Sequence, residues 1–168
     1  STIIGFTYNG GGSGIHWANL ANLNINYGDS LITGADILLV NSGTTGILFE
    51  GNSNGVVNNI LLSRVEVLSR GVSPGTVGIR LVNSSRISLL NVDIENIETA
   101  VSNGPGSKAC TFVNTYALGC TFDYIEQSPV SQVTIIGGDG DFADDQRLPT
   151  RNLRLYAASL GDYTRVRT

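Results

Sequence analysis

One strand pattern returns through this chain at nearly fixed intervals, and that recurrence limits the possible folds more than any other feature. The pattern is apolar or small, spacer, polar or Gly, apolar, outward, apolar. It occurs at Leu20–Ile25, Leu62–Val67, Leu89–Ile94 and Ala117–Phe122, with a weaker copy at Val130–Ile135. Its central apolar positions Val65, Val92 and Cys120 follow one another at an almost constant step. A second pattern, Ile79-Arg80-Leu81-Val82-Asn83-Ser84, matches Cys110–Thr115 and Ile37–Ser42, with Ile47–Asn52 as a looser relative. The pairs Gly14-Ile15, Gly46-Ile47 and Gly78-Ile79 are evenly spaced along the chain. Short bursts of alternation bounded by Gly, Asn and Ser predict strands joined by turns, and Ile97–Val101 reads as one more. Helix signals are almost absent. Asn152–Leu160 reads equally as a helix or as a last strand followed by a turn.

Units of roughly 22–32 residues, each with two or three short strands, predict an all-β chain wound as a parallel β-helix of about six coils. A single coil cannot bury its apolar side, whereas stacked coils share one interior. A sandwich or jelly roll would also alternate, but would not return one pattern at a near-constant step. The 21 Gly suit the sharp corners that such coils need, where Gly takes positive φ and Asn tolerates it. Asn at matching corners also predicts hydrogen-bonded ladders between coils.

The 168 residues are expected to form one domain, 1–168, with 137–150 as a loop interrupting the stack. A chain with no Met and no recognisable signal peptide reads as a piece of a longer molecule. Net charge is −4 and no basic cluster occurs, which excludes nucleic acid as the expected partner. No apolar run approaches the roughly 20 residues of a spanning helix, so no membrane insertion is expected.

Gly78-Ile79-Arg80-Leu81-Val82-Asn83-Ser84, continuing through Asn91-Val92-Asp93-Ile94, resembles the coil repeat of pectate-lyase-like right-handed parallel β-helix proteins. That superfamily holds pectin and polysaccharide lyases, glycoside hydrolases, epimerases and bacteriophage tailspikes. The likeness runs from about Ile15 to Ile136, and among members a trimeric tailspike or tail-fibre segment is the best match. The resemblance implies a single-stranded right-handed helix, a homotrimer, a virion or extracellular location, and a bacterial surface polysaccharide as ligand. It also implies cleavage of that polymer by paired carboxylates, making the chain an endo-glycosidase if it is an enzyme. Two other functions stand beside this one: a non-enzymatic shaft or adaptor in a viral or secreted fibre, and a fragment of a polysaccharide lyase or epimerase. The Asp clusters with an Arg or Lys base that such lyases use have no recognisable counterpart around the strand repeats.

The repeat itself proposes a site. Glu66 lies between Val65 and Val67, and Asp93 between Val92 and Ile94, so both point outward and occupy one column on neighbouring coils. Their expected separation of about 5 Å fits the acid and nucleophile of a retaining glycosidase. Two adjacent carboxylates also raise the pKa of one of them. Glu95 continues the series. Arg64 and Arg80 either contact sugar or pair with these acids as an exposed ion network. Tyr116, Tyr124 and Tyr156, near strand ends, are the candidates for an exposed sugar-binding groove, whereas Trp17 is expected in the core.

Asp139, Asp141, Asp144 and Asp145 form the densest acidic stretch. It suits Ca²⁺ ligation, catalytic carboxylates on an inserted loop, or a solvated loop, and no other cofactor is implied. His16, the single His, has no partner motif. Cys110 and Cys120 read as inward-facing small hydrophobes, with a disulfide across one coil as the alternative. Asn83-Ser84-Ser85 is formally a glycosylation sequon, but reads better as a corner ladder position. Val56, Val57, Ile60 and Leu61 suggest an outward apolar stripe suited to three-fold packing.

Overall fold

A computed structural model describes residues 2–5, 7–10, 12–18, 30–53, 55–128, 132–138 and 153–156, and every regular element among them is a strand. In chain order these are β1 (Thr2–Ile4), β2 (Thr7–Gly10), β3 (Ile15–Ala18), β4 (Ser30–Thr33), β5 (Asp36–Leu39), β6 (Thr45–Glu50) and β7 (Val57–Ser69). They continue as β8 (Val77–Val82), β9 (Ser84–Glu95), β10 (Thr99–Asn103), β11 (Cys110–Leu118), β12 (Phe122–Glu126), β13 (Val133–Ile136) and β14 (Leu153–Tyr156). One sheet runs β1-β4-β7-β9-β11-β13-β14, with β5 also on β7 and β2 on β5; the other runs β3-β6-β8-β10-β12. All the pairings are parallel. A chain that pairs its strands in parallel with their counterparts one circuit later is a parallel β-solenoid. The second sheet spans about four turns.

The long strands β7, β9 and β11 are each bent by a residue at positive φ: Arg64 (53°), Asn91 (51°) and Asn114 (47°). Continuing the register places Gly5, Gly34 and Gly137, at 64°, 62° and 62°, in the same column. One left-handed residue thus turns each coil from a first face (60–63, 87–90, 110–113) to a second face (65–68, 92–95, 115–118). That backbone costs a residue with a Cβ about 1–2 kcal/mol, which explains why Gly and Asn hold every place in the column except that of Arg64. Asn114 Nδ2 donates to Asn91 Oδ1 at 3.2 Å, a rung of the expected ladder.

The column Gly14, Gly46 and Gly78 has a different cause. A Cβ on Gly78 would lie 2.6 Å from the Ala100 carbonyl oxygen and 2.7 Å from Ile94 Cγ2. On Gly46 it would lie 2.6 Å from the Gly78 carbonyl oxygen and against a Val67 methyl. Here the second sheet approaches the second face too closely for any side chain, and the Ile that follows each Gly enters the core. Ile15, Ile47, Ile79, Val101 and Tyr124 are accordingly level with one another. Trp17 lies level with Phe49 and packs on the core, as expected.

Three sequence alignments are corrected by the register. Val65 and Val92 are level with Thr115, not Cys120, so the third copy of the first pattern is Phe112–Ala117 and its step is shorter than the one before. Cys120 lies in the corner beyond β11. The connection from Asn91 to Val101 is markedly shorter than its counterpart from Arg64 to Ile79, and the loss shifts all that follows. The second pattern also mixed faces: Ile79–Val82 belongs to the second sheet, while Cys110–Val113 and Ile37–Leu39 belong to the first. The looser relative is the true counterpart, because Ile47, Leu48, Phe49 and Glu50 pair with Ile79, Arg80, Leu81 and Val82.

Cys110 is buried level with Val133, Cys120 is half-buried, and no disulfide joins the two across the coil. The expected outward stripe does not form either. Val57 and Ile60 are buried in the core, which leaves only Leu61 of the large side chains exposed. Leu153–Tyr156 is a strand paired with β13, which settles the choice between helix and strand there. Most of the expected loop, residues 139–150, lies outside the described residues. Thr115 occupies the inward position held elsewhere by Val65 and Val92, and its buried Oγ1 has no hydrogen-bond partner among the described residues.

Two stability effects follow from these contacts. Thr115→Val removes an unsatisfied buried hydroxyl and is expected to raise the unfolding free energy by about 1 kcal/mol in denaturant titration. Gly78→Ala is expected to lower it by about 2–3 kcal/mol, since neither backbone carbonyl nor core methyl can withdraw. Gly71→Ala, whose Cβ meets nothing within 4 Å, is the neutral control.

Candidate functional site

The second face carries the candidate site. Outward residues alternate with the buried Ile37, Val65, Val67, Val92, Ile94 and Ala117, so the sheet displays two parallel rows. In one row Asp36 is level with Glu66, Glu66 with Asp93, and Asp93 with Tyr116. In the other, Leu38 is level with Leu68, Leu68 with Glu95, and Glu95 with Leu118. Neighbouring residues in a row stand one strand spacing apart, about 4.8 Å. Glu66 and Asp93 therefore do share a column on adjacent coils. Asp36 extends that column by one coil, and its sequence signal is Ala35-Asp36-Ile37, one circuit ahead of Val65-Glu66-Val67. The signal is hidden because Ile37 also begins a run that mimics the second pattern.

Burial pushes the Glu66 carboxyl up, and the charges of Asp36, Glu95 and Asp93 push it further in the same direction. A carboxyl biased toward its protonated form beside a second carboxylate at strand spacing is the pairing that acid-assisted glycoside cleavage uses. Tyr116, half-buried at the end of the row, presents an aromatic ring at the same level as Asp93.

The other sequence-derived residues distribute differently. Arg64 is exposed at the left-handed corner beside this face. Arg80 is exposed on β8 in the other sheet, level with Leu48 and Ser102, and so does not meet the acids. Tyr124 is not at a groove: it is fully buried and packs edge-on against Phe112, with ring centroids 6.0 Å apart. Its place level with Val101 turns it inward, a parity that proximity to a strand end does not reveal. The side chain of Tyr156 and residues Asp139, Asp141, Asp144 and Asp145 lie outside the described residues. Among the described residues no group of three or more His, Cys, Asp or Glu side chains is arranged to hold a metal ion.

His16 does have a partner that sequence spacing does not show. Its Nε2 lies 2.9 Å from Glu50 Oε2, across β3 and β6. Both side chains are exposed, which makes this pair a weak surface contact. Asn83 is a half-buried corner residue at φ 45°, but its Nδ2 lies 3.5 Å from the Gly51 carbonyl and the level residues on both neighbouring coils are Gly51 and Pro105, so no Asn ladder forms at the sequon. Burial raises the Cys120 thiol pKa, with Asp123 and Glu95 adding to the effect, so it makes a poor nucleophile at neutral pH.

The raised Glu66 pKa carries a stability consequence of definite sign. The folded protein holds this proton more tightly than the unfolded chain, so stability contributed below the ordinary value of 4.5 is lost as pH rises through the folded pKa. Glu66→Gln is expected to raise Tm relative to the parent at pH 7 and to leave it unchanged near pH 4. Thermal melts across pH 4–8 give the comparison.

Compared with protein-family models, with curated proteins and with solved structures, the chain matches none.

Proposed function

We propose that this chain is a receptor-binding segment of a bacteriophage tailspike or tail fibre that binds a bacterial surface polysaccharide along its second face and hydrolyses it there. The superfamily reading, a pectate-lyase-like right-handed β-helix working as a homotrimer on a virion or outside the cell, belongs to the same proposal. The observation that carries it is the level pairing of Glu66 with Asp93. Glu66, whose carboxyl is raised by burial and by its acidic neighbours, is the acid/base that protonates the leaving oxygen. Asp93 is the nucleophile on the adjacent coil, at a spacing suited to retention of configuration. Tyr116 offers a ring to the apolar face of a neighbouring sugar unit, and Arg64 at the corner and Glu95 in the second row supply polar contacts.

A second reading, a non-enzymatic fibre shaft, is favoured by the continuous corner column and its Asn91–Asn114 rung, which stiffen a stack whatever it binds.

Incubation with capsular and lipopolysaccharide preparations, followed by a reducing-end assay, separates the two. Hydrolysis should fall by at least about 100-fold in both Glu66→Gln and Asp93→Asn, with unchanged circular dichroism. Release of unsaturated uronate absorbing in the ultraviolet would identify a lyase instead, and binding without cleavage would leave the shaft reading.

A further inference from the structure

Across the second face, β7 reads as cation, acid, leucine, cation. Its buried residues there are Val65, Val67 and Ser69; Glu66 and Leu68 between them are half-buried, and Arg64 and Arg70 are exposed. The two arginines bracket the face. Arg64 occupies the left-handed corner where the face begins, and Arg70 follows the last residue of β7. About 20 Å of backbone separates them at roughly 3.3 Å per residue, a span that several sugar units fill. Neither arginine forms an ion pair among the described residues, although Glu66 lies between them.

The neighbouring coils do not repeat this arrangement. Gly34 and Asn91 are level with Arg64, and Asn114 is level with Asn91. At the other edge the chain leaves the face through Val40 after β5 and through Asn96 after β9. The coil that carries Glu66 is therefore the one, among these, with a cation at both edges. Arg64 also holds its place against local preference. Its φ of 53° favours Gly or Asn, which Gly5, Gly34, Asn91, Asn114 and Gly137 supply elsewhere in the column. A bulky side chain kept where the backbone disfavours it points to a use for that side chain.

We propose that the polymer bound on this face lies lengthwise along β7, transverse to the stack, and carries carboxylates at intervals rather than on every unit, with Arg64 and Arg70 each holding one. Charge selects this class. A polymer ionised at every unit would set its charges against Asp36, Glu66, Asp93 and Glu95, while a neutral polymer would leave both arginines without a counterpart. An uncharged stretch over the carboxylates with an anionic group at either edge meets both conditions. The planar guanidinium fork matches a carboxylate bidentately, which fixes where along β7 the uncharged stretch falls. Asp93 reaches that stretch from the adjacent coil, level with Glu66. The inference deepens the polysaccharide reading above and rests on it for the ligand, but it does not require that the polymer be cleaved.

The probes are capsular polysaccharides with one uronic acid per repeat unit, each compared with its own carboxyl-reduced form, and polygalacturonate, which is ionised at every unit. Binding to the full chain is read by isothermal titration calorimetry at low and high salt. The parent should bind at least one native polymer, and should bind its reduced form and polygalacturonate at least about tenfold more weakly; raised salt should erase the preference. Arg64→Asn/Arg70→Gln should lower affinity for the native polymer at least about tenfold and leave affinity for the reduced form unchanged. Arg64→Asn alone should raise Tm by about 2–4 °C, because Asn suits the left-handed corner, which separates lost binding from lost fold. A lowered Tm would give Arg64 a structural role and overturn the proposal. A parent that binds the reduced form or polygalacturonate as tightly as the native polymer, or a double variant that keeps the preference, overturns the arginine clamp and leaves the polysaccharide reading standing. A parent that binds no polysaccharide overturns both.

Discussion

Stacking in this molecule works only while each residue stays level with its counterpart on the next coil. Side chains on a strand alternate between interior and solvent, so a one-residue slip anywhere would send Val65 outward and Glu66 into the core. The left-handed corner column guards against that slip. A residue at positive φ recurs at this place in successive circuits, where Gly5, Gly34, Arg64, Asn91, Asn114 and Gly137 stay in line, and a second such column holds Asn59, Arg86 and Ala109. The core and the two outward rows inherit their order from this alignment.

Much of the architecture is legible in the sequence because the repeat is local. The Gly-Ile pairs and the Glu66–Asp93 step identify real columns, since each rests on a short motif on one face. The errors arise where a motif must be carried across a corner of unknown length. The connection from Asn91 to Val101 is shorter than the one from Arg64 to Ile79, so a constant period overshoots to Cys120. Alternation alone also cannot say which sheet a strand joins, which is how Cys110–Val113 resembles Ile79–Val82. Tyr124 and Arg80 fall to the same ambiguity. A strand-end aromatic and an outward cation each point to the acidic face on alternation alone, and only the register turns one inward and sends the other to the second sheet.

The carboxylate row shows how a repetitive fold makes a chemical environment without a dedicated loop. Asp36, Glu66 and Asp93 come from three circuits, yet each needs only an apolar residue on either side to be held outward. Partial burial lifts Glu66, and repulsion from its acidic neighbours adds to the effect. No single segment of the sequence contains that property, and it exists only once the coils are in step.

The unequal corners have a further consequence for how such a chain can change over time. Length varies between the second face and the second sheet, and again on the way back, while the left-handed corner remains a single residue. Differences in length between coils of this chain therefore fall at those two corners and leave the strand columns in step. The strand columns act as fixed coordinates, and a lineage can resize its overhangs freely while every column keeps its place.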